Sequence, residues 1–176
     1  SVLLGEQVKG ASFAVGTIRL PRMIAGVFTG FAFGVGGYIF QTMLRNPLAN
    51  PNVIGITAGS SAAAVFCIIV LQASNTVVSI ASVIGGLATV LVIYFLSKGS
   101  SFSIGRLILI GIGIQAMLTA VINYLMLIGN THDLPTAMRW LSGSLNGAKM
   151  ENLYPLIITV CIFAPIIIFF GMRLQM

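Results

Sequence analysis

No charged residue stands between Arg22 and Arg45, and none between Arg45 and Lys98. A chain folding in water does not leave such stretches bare, because soluble domains carry about a quarter Asp, Glu, Lys and Arg. Here charged residues make up 7% and hydrophobic ones 57%, with a mean hydropathy of +1.05. A water-exposed globule is excluded, and so is disorder, since that much apolar surface is not left solvated. Nine Lys and Arg against three Asp and Glu give a net charge of +6. The cations are scattered singly, with neither the run nor the basic face that would point to nucleic acid. Twenty glycines without a three-residue period set collagen aside and suit helices packed closely in lipid. The fold class expected is all-α, a polytopic transmembrane helix bundle in a cell membrane.

Charges and polar breaks then place the spans. Residues 23–44 would rise ~33 Å as a helix, enough to cross a hydrocarbon core of about 30 Å. The gap from Arg45 to Lys98 is too long for one span, and Asn46-Pro47-Leu48-Ala49-Asn50-Pro51 breaks it near its start, since the residue before a proline disfavours helix. Asn50 is the expected N-cap, with Pro51 in the first helical position, of a second span over 51–72. Ser74-Asn75-Thr76 separates it from a third over 77–97. A fourth span covers 104–128 with Ser103 as its cap, and a fifth covers 153–172 with Pro155 and Pro165 as kinks. The connector 129–152 is the longest polar segment. In it Asp133 is expected to cap a short helix running to about Leu141, placing Arg139 and Trp140 at the membrane–water interface. Gly143, Asn146 and Gly147 would turn the chain back. The sequence opens without Met and stops just after an apolar run and Arg173, so it is read as a fragment of a longer membrane protein.

Gly26, Gly30 and Gly34 recur at spacing four, a small-residue face on which a neighbouring backbone can approach closely. Packing is the reading preferred over a hinge. Gly55, Gly59, Ala62 and Ala63 repeat the device in the second span, and Ser82, Gly85, Gly86 and Thr89 in the third. The fourth span differs. Gln115, Thr119 and Asn123 fall at i, i+4 and i+8 on one face, with Gly111 a turn earlier. Amide side chains inside lipid need partners or a wet cavity, so the stripe either hydrogen-bonds to other helices or lines a pathway. No Asp, Glu, Lys or His lies in the middle of a span, which weighs against a proton relay or an ion-coupled transporter.

Enzymatic chemistry finds no support. Ser60 and Ser142 sit beside glycines, but a nucleophile needs a base within hydrogen-bond reach, and the one histidine, His132, lies in a loop. Metal-ligand spacings are absent, and Cys67 and Cys161 sit in apolar runs as packing side chains. Neither a catalytic residue nor a cofactor nor a resident metal is expected.

Arg19-Leu20-Pro21-Arg22 ahead of a glycine-rich span resembles the permease subunits of bacterial ATP-binding-cassette importers for iron–siderophores, haem and cobalamin. The resemblance continues through Gln41, Leu44-Arg45-Asn46-Pro47-Leu48-Ala49-Asn50-Pro51, Gly55-Ile56 and Gly59. It returns in Leu109-Ile110-Gly111 and in Trp140-Leu141-Ser142-Gly143-Ser144-Leu145, and so covers nearly the whole chain. It implies a protomer of about ten spans, of which this chain would supply spans two through six, the remainder including the helices that couple to the ATPase. Implied partners are a second permease subunit, two ATP-binding subunits, where hydrolysis would occur, and an extracytoplasmic substrate-binding protein. The implied cargo is an iron–siderophore-type chelate, passed through a bacterial inner membrane by alternating access. By the same likeness Arg19 and Arg22 would receive glutamates of the binding protein. Ser103, Ile104 and Gly105 would match the cytoplasmic gate, with Ile104 replacing a small polar residue of some relatives and leaving room for an apolar constriction. Gln115, Thr119 and Asn123 are the residues expected to line the passage. A secondary transporter and a non-transporting structural membrane protein are the rival readings. Charge alone does not orient the chain: five loop cations would lie outside and four inside if the segment before Arg22 is outside.

Overall fold

The structure is a computed structural model and describes residues 14–46, 50–98 and 103–174. Ala14–Arg19 forms a turn of π-helix that runs directly into α1, Leu20–Leu44. Pro21 accounts for the wide turn. It has no N–H, and its ring crowds the carbonyl four residues back, so the regular ladder cannot pass through it. A π turn shifts each partner by one residue and absorbs the break.

This changes the reading of the two arginines. On sequence alone they stand at the first turn of a span, where the positive end of the helix macrodipole opposes them. In the structure the helical run already includes Ala14, so Arg19 is more than one turn in and Arg22 about two. The macrodipole acts within the first turn, so it does not oppose these cations here.

Helix α1 stops at Arg45, whose backbone is left-handed (φ 49) and whose N–H donates to the carbonyls of Gln41 and Thr42. Asn50 then caps as expected, its Oδ1 accepting the Asn52 N–H at 3.0 Å. What it caps is one turn of 3-10 helix, Pro51–Ile54, not a long α-helix. Gly55 is left-handed (φ 81), so the α-helical ladder starts only beyond it, as α2, Ile56–Ile69. Gln72, also left-handed (φ 46), follows its end. Residues 51–72 therefore hold a turn and a 14-residue helix, about 21 Å long at 1.5 Å per residue.

The remaining helices are α3, Asn75–Ser97, α4, Ile104–Ile128, α5, Leu134–Ser142, and α6, Met150–Leu174. Two expected caps do not form: neither the Ser103 nor the Asp133 side chain bonds to its helix N-terminus. Both helices begin with the ordinary ladder alone, the Ser103 and Asp133 carbonyls accepting the N–H groups of Leu107 at 3.1 Å and Ala137 at 3.0 Å. Helix α6 runs through both Pro155 and Pro165, and the Thr159 hydroxyl donates to the Pro155 carbonyl at 2.7 Å. Pro47, Leu48 and Ala49, and Lys9 at the other end, lie outside the described residues.

The chain groups into two compact units, one from 1–45 with 145–176 and the other from 46–144. In the first, α1 packs against α6. In the second, α2 is the central element, lying against α3, α4 and α5. Its Ala64, Val65, Ile68 and Ile69 form a core with Val78 of α3, Ile122 and Leu125 of α4 and Ala137 of α5. Among the described residues three helices are long and apolar enough to cross a membrane: Val15–Leu44, α3 and α4. Helix α2 and the Leu153–Ile167 stretch of α6 are shorter apolar segments. Large apolar side chains outside the core, such as Phe33, Leu109 and Leu127, are exposed, as they are when lipid rather than water surrounds the bundle.

Candidate functional site

Where α2 and α3 cross most closely, contact is made through residues too small to hold the backbones apart. A Cβ on Gly59 would collide with the Thr89 side chain and stand 2.9 Å from the Gly85 carbonyl oxygen. A Cβ on Gly85 would stand 2.6 Å from that of Ala63, and one on Gly86 would collide with the Ser60 hydroxyl. Thr89 is buried, and its hydroxyl donates to the Gly85 carbonyl at 2.8 Å, so its polar atom costs nothing in the seam. The small-residue faces of the second and third expected spans thus meet each other. The stripe on α1 behaves differently: a Cβ on Gly26 would touch Leu145 Cδ1 at 3.6 Å, while Gly30 and Gly34 have no described neighbour within 4 Å.

The polar stripe of α4 is split in two. Gly111 is buried, and a Cβ there would stand 2.9 Å from the Ile54 Cα. A Cβ on Gly55 would in turn stand 3.1 Å from the Gly111 carbonyl and 3.2 Å from the Gln115 Cβ. The Pro51–Ile54 turn therefore lies on α4 at the upper end of the stripe, and Gln115 is half-buried there. Thr119 and Asn123 are exposed. Thr119 spends its proton within its own helix, donating to the Gln115 carbonyl at 2.8 Å. Ser103, Ile104 and Gly105, at the start of the same helix, are all exposed.

Arg19 and Arg22 are both exposed on the first unit. Arg22 Nη2 donates to Asn146 Oδ1 at 2.7 Å. Asn146 belongs to a tight turn, with the Ala148 N–H donating to the Leu145 carbonyl at 3.3 Å and Gly147 left-handed (φ 82). With Leu145 against Gly26, this turn is fixed to α1 at two points one helical turn apart. The sequence places Asn146 in a turn without revealing its partner, because a single amide near two glycines is a faint signal for a contact 124 residues away. The partner is an amide, which orients the Arg22 guanidinium without itself cancelling its charge. Glu151 is exposed as well.

Other candidates hold little chemistry. Cys67 is buried in the core and Cys161 is exposed, both free. Among the described residues no group of three His, Cys, Asp or Glu could hold a metal ion.

Long apolar helices joined through a seam of glycine, alanine and hydroxyl residues define an integral membrane helix bundle. Residues 1–176 match the model of the FecCD transport family, and the chain belongs to that family. It is 33% identical over 171 residues to the ferric enterobactin transport system permease protein FepG of Escherichia coli (strain K12), covering 96% of this chain and 52% of that protein. It is 37% identical over 152 residues to the achromobactin transport system permease protein CbrC of Dickeya dadantii (strain 3937), covering 85% and 44%. A cobalamin import system permease protein, BtuC of Halobacterium salinarum, is 31% identical over 143 residues, covering 81% and 38%. Among solved structures, an inward-facing conformation of a metal-chelate type ABC transporter superposes with a TM-score of 0.87 at 26% identity, over 96% of this chain and 54% of that one. The chain spans about half the length of the curated relatives it matches.

Proposed function

We propose that this chain is part of the permease subunit of an ATP-driven importer in a bacterial inner membrane, carrying an iron–siderophore-type chelate. The observation that supports this most directly is the match to one transport family along the full 176 residues, with a solved ABC transporter of the same fold over 96% of the chain. Of the relatives named above, the ferric enterobactin permease matches 96% of the chain and the cobalamin permease 81%, and iron chelate is the reading adopted for that reason.

In this reading the permease works as a dimer, with ATP hydrolysed in two separate nucleotide-binding subunits and the cargo delivered by an extracytoplasmic binding protein. Arg19 and Arg22 receive acidic side chains of that protein. The passage is lined in part by Gln115, Thr119 and Asn123, and Ser103, Ile104 and Gly105 lie at its cytoplasmic closure. Weak contacts of amide and hydroxyl type suit a passage from which the ligand must leave again. The five spans expected at 23–44, 51–72, 77–97, 104–128 and 153–172 are then half of the subunit.

The test is uptake in a deletion strain carrying the full-length gene. Radiolabelled ferric catecholate, hydroxamate and citrate complexes would be compared with labelled haem and cobalamin. Uptake of an iron complex that stops when the ATP-binding subunit is inactivated is the expected result. Uptake of cobalamin alone would overturn the cargo assignment, and uptake insensitive to the ATPase would overturn the class.

A further inference from the structure

Helix α3 sorts its side chains by size. The buried line is Val78, Gly86, Thr89, Ile93 and Ser97, so three of its five members are small. The opposite side is bulky and hydrocarbon: Val83, Ile84, Leu87 and Leu91 are all exposed, and Ala88 is the single small exposed residue between Val83 and Leu96. In membranes, helices meet through small residues and show large aliphatic ones to lipid. The two sides of α3 are thus chemically distinct, one already filled by α2 and α4.

The end of that outer side carries a second signal. Tyr94 and Phe95 are both exposed and meet edge to face with centroids 5.7 Å apart. Lys98 follows the helix directly and is exposed, as is Arg106 near the start of α4. Neither cation forms an ion pair among the described residues, and the whole chain offers only Glu6, Asp133 and Glu151 as carboxylates. Aromatic rings with a cation one turn further out match the boundary between hydrocarbon and headgroup, where phosphates supply the missing negative charge.

We propose that the outer face of α3 contacts phospholipid in the assembled protein, with Tyr94 and Phe95 at the interface and Lys98 on headgroup phosphates. The remainder of the longer protein and any second subunit then cover other helices and leave this one at the rim. The proposal does not depend on the cargo or on the transport direction.

The test uses the full-length subunit in its assembled complex, reconstituted in phospholipid vesicles, with other tryptophans changed to phenylalanine. Leu87→Trp and Leu91→Trp are made singly, and each is exposed in turn to lipid brominated on the acyl chain and to aqueous iodide. Both are expected to lose emission several-fold with brominated lipid and to be untouched by iodide. Quenching by neither would show that protein covers the face, and quenching by iodide would show that it lines a wet passage; either overturns the proposal. Tyr94→Trp is expected to be quenched more strongly by bromine near the headgroup than by bromine near the chain end. The reverse order would overturn the placement of the interface.

Discussion

Arg22 Nη2 lies 2.7 Å from Asn146 Oδ1. The bond joins the start of α1 to the turn ahead of α6, and it does so with a neutral acceptor. A carboxylate in place of Asn146 would hold the guanidinium as well and would cancel its charge. An amide aims it and leaves it positive, which is what a surface meeting an acidic partner requires. Arg19, three residues earlier and also exposed, would act beside it.

Asn146 therefore tests the docking hypothesis more finely than the arginine does. Arg22→Glu is expected to abolish uptake by reversing the charge. Asn146→Ala should keep the charge and lose the aim, weakening binding-protein docking by about 1 kcal/mol, the worth of an ordinary hydrogen bond, or roughly fivefold. Asn146→Asp should weaken it further, by pairing Arg22 internally. Docking would be measured in nanodiscs at several salt concentrations. If Asn146→Asp docks as tightly as the parent, Arg22 is not a docking residue.

Gly59→Ala and Gly30→Ala separate packing inside this chain from packing against something beyond it. A Cβ on Gly59 meets Thr89 and stands 2.9 Å from the Gly85 carbonyl, whereas one on Gly30 meets nothing within 4 Å. Overpacking costs about 1–3 kcal/mol, and backbone atoms give way less readily than side-chain ends. Gly59→Ala should lower the thermal stability of the solubilised subunit clearly, and Gly30→Ala much less. Equal losses would mean that a helix from the rest of the protein lies on Gly30 as tightly as α3 lies on Gly59.

The helices were legible because charge and polarity bound them: Arg45, Ser74-Asn75-Thr76 and Lys98 stand at or beside real helix ends. What the sequence hid were departures from the ordinary ladder. The Pro51–Ile54 turn reads as a helix start, because Asn50 and Pro51 suit either, and only the left-handed Gly55 separates them. The π turn before Pro21 was equally hidden, since proline marks a break without saying whether the helix resumes. In the site, the stripe Gln115, Thr119 and Asn123 follows from spacing, but the burial of its upper end under Ile54 and Gly55 depends on tertiary contact. Arg22 and Asn146 could not be paired from sequence for the same reason.

Gly55→Ala probes that tertiary contact. At φ 81 a Cβ crowds its own backbone, costing roughly 1–2 kcal/mol in the left-handed region. It would also stand 3.1 Å from the Gly111 carbonyl and 3.2 Å from the Gln115 backbone nitrogen. The expected result is a loss of stability larger than the backbone term alone, with reduced amounts of inserted protein. A fully stable Gly55→Ala would show that the Pro51–Ile54 turn can lift from α4 freely.

Exposure alone does not say which side of α4 faces a passage, because Val121, on nearly the opposite side from Asn123, is 48% exposed. Chemistry distinguishes them. An amide facing hydrocarbon without a partner costs roughly 2–7 kcal/mol, while a valine there costs nothing, so water or a polar ligand is expected beside Asn123 and lipid or protein beside Val121. Gln115 is a poorer probe, since it is half-buried against Gly55 and its variants mix folding with transport. In a background with Cys161→Ser, leaving buried Cys67 in place, Asn123→Cys should react with a membrane-impermeant thiol reagent and Val121→Cys should not. Added substrate and binding protein should protect Asn123→Cys. Asn123→Leu should lower transport several-fold with the inserted amount unchanged, as measured by uptake per molecule on quantitative blots. Equal labelling at both positions, or an Asn123→Leu protein that transports normally once its lower yield is counted, would make the stripe a helix-packing device and remove Asn123 from the passage.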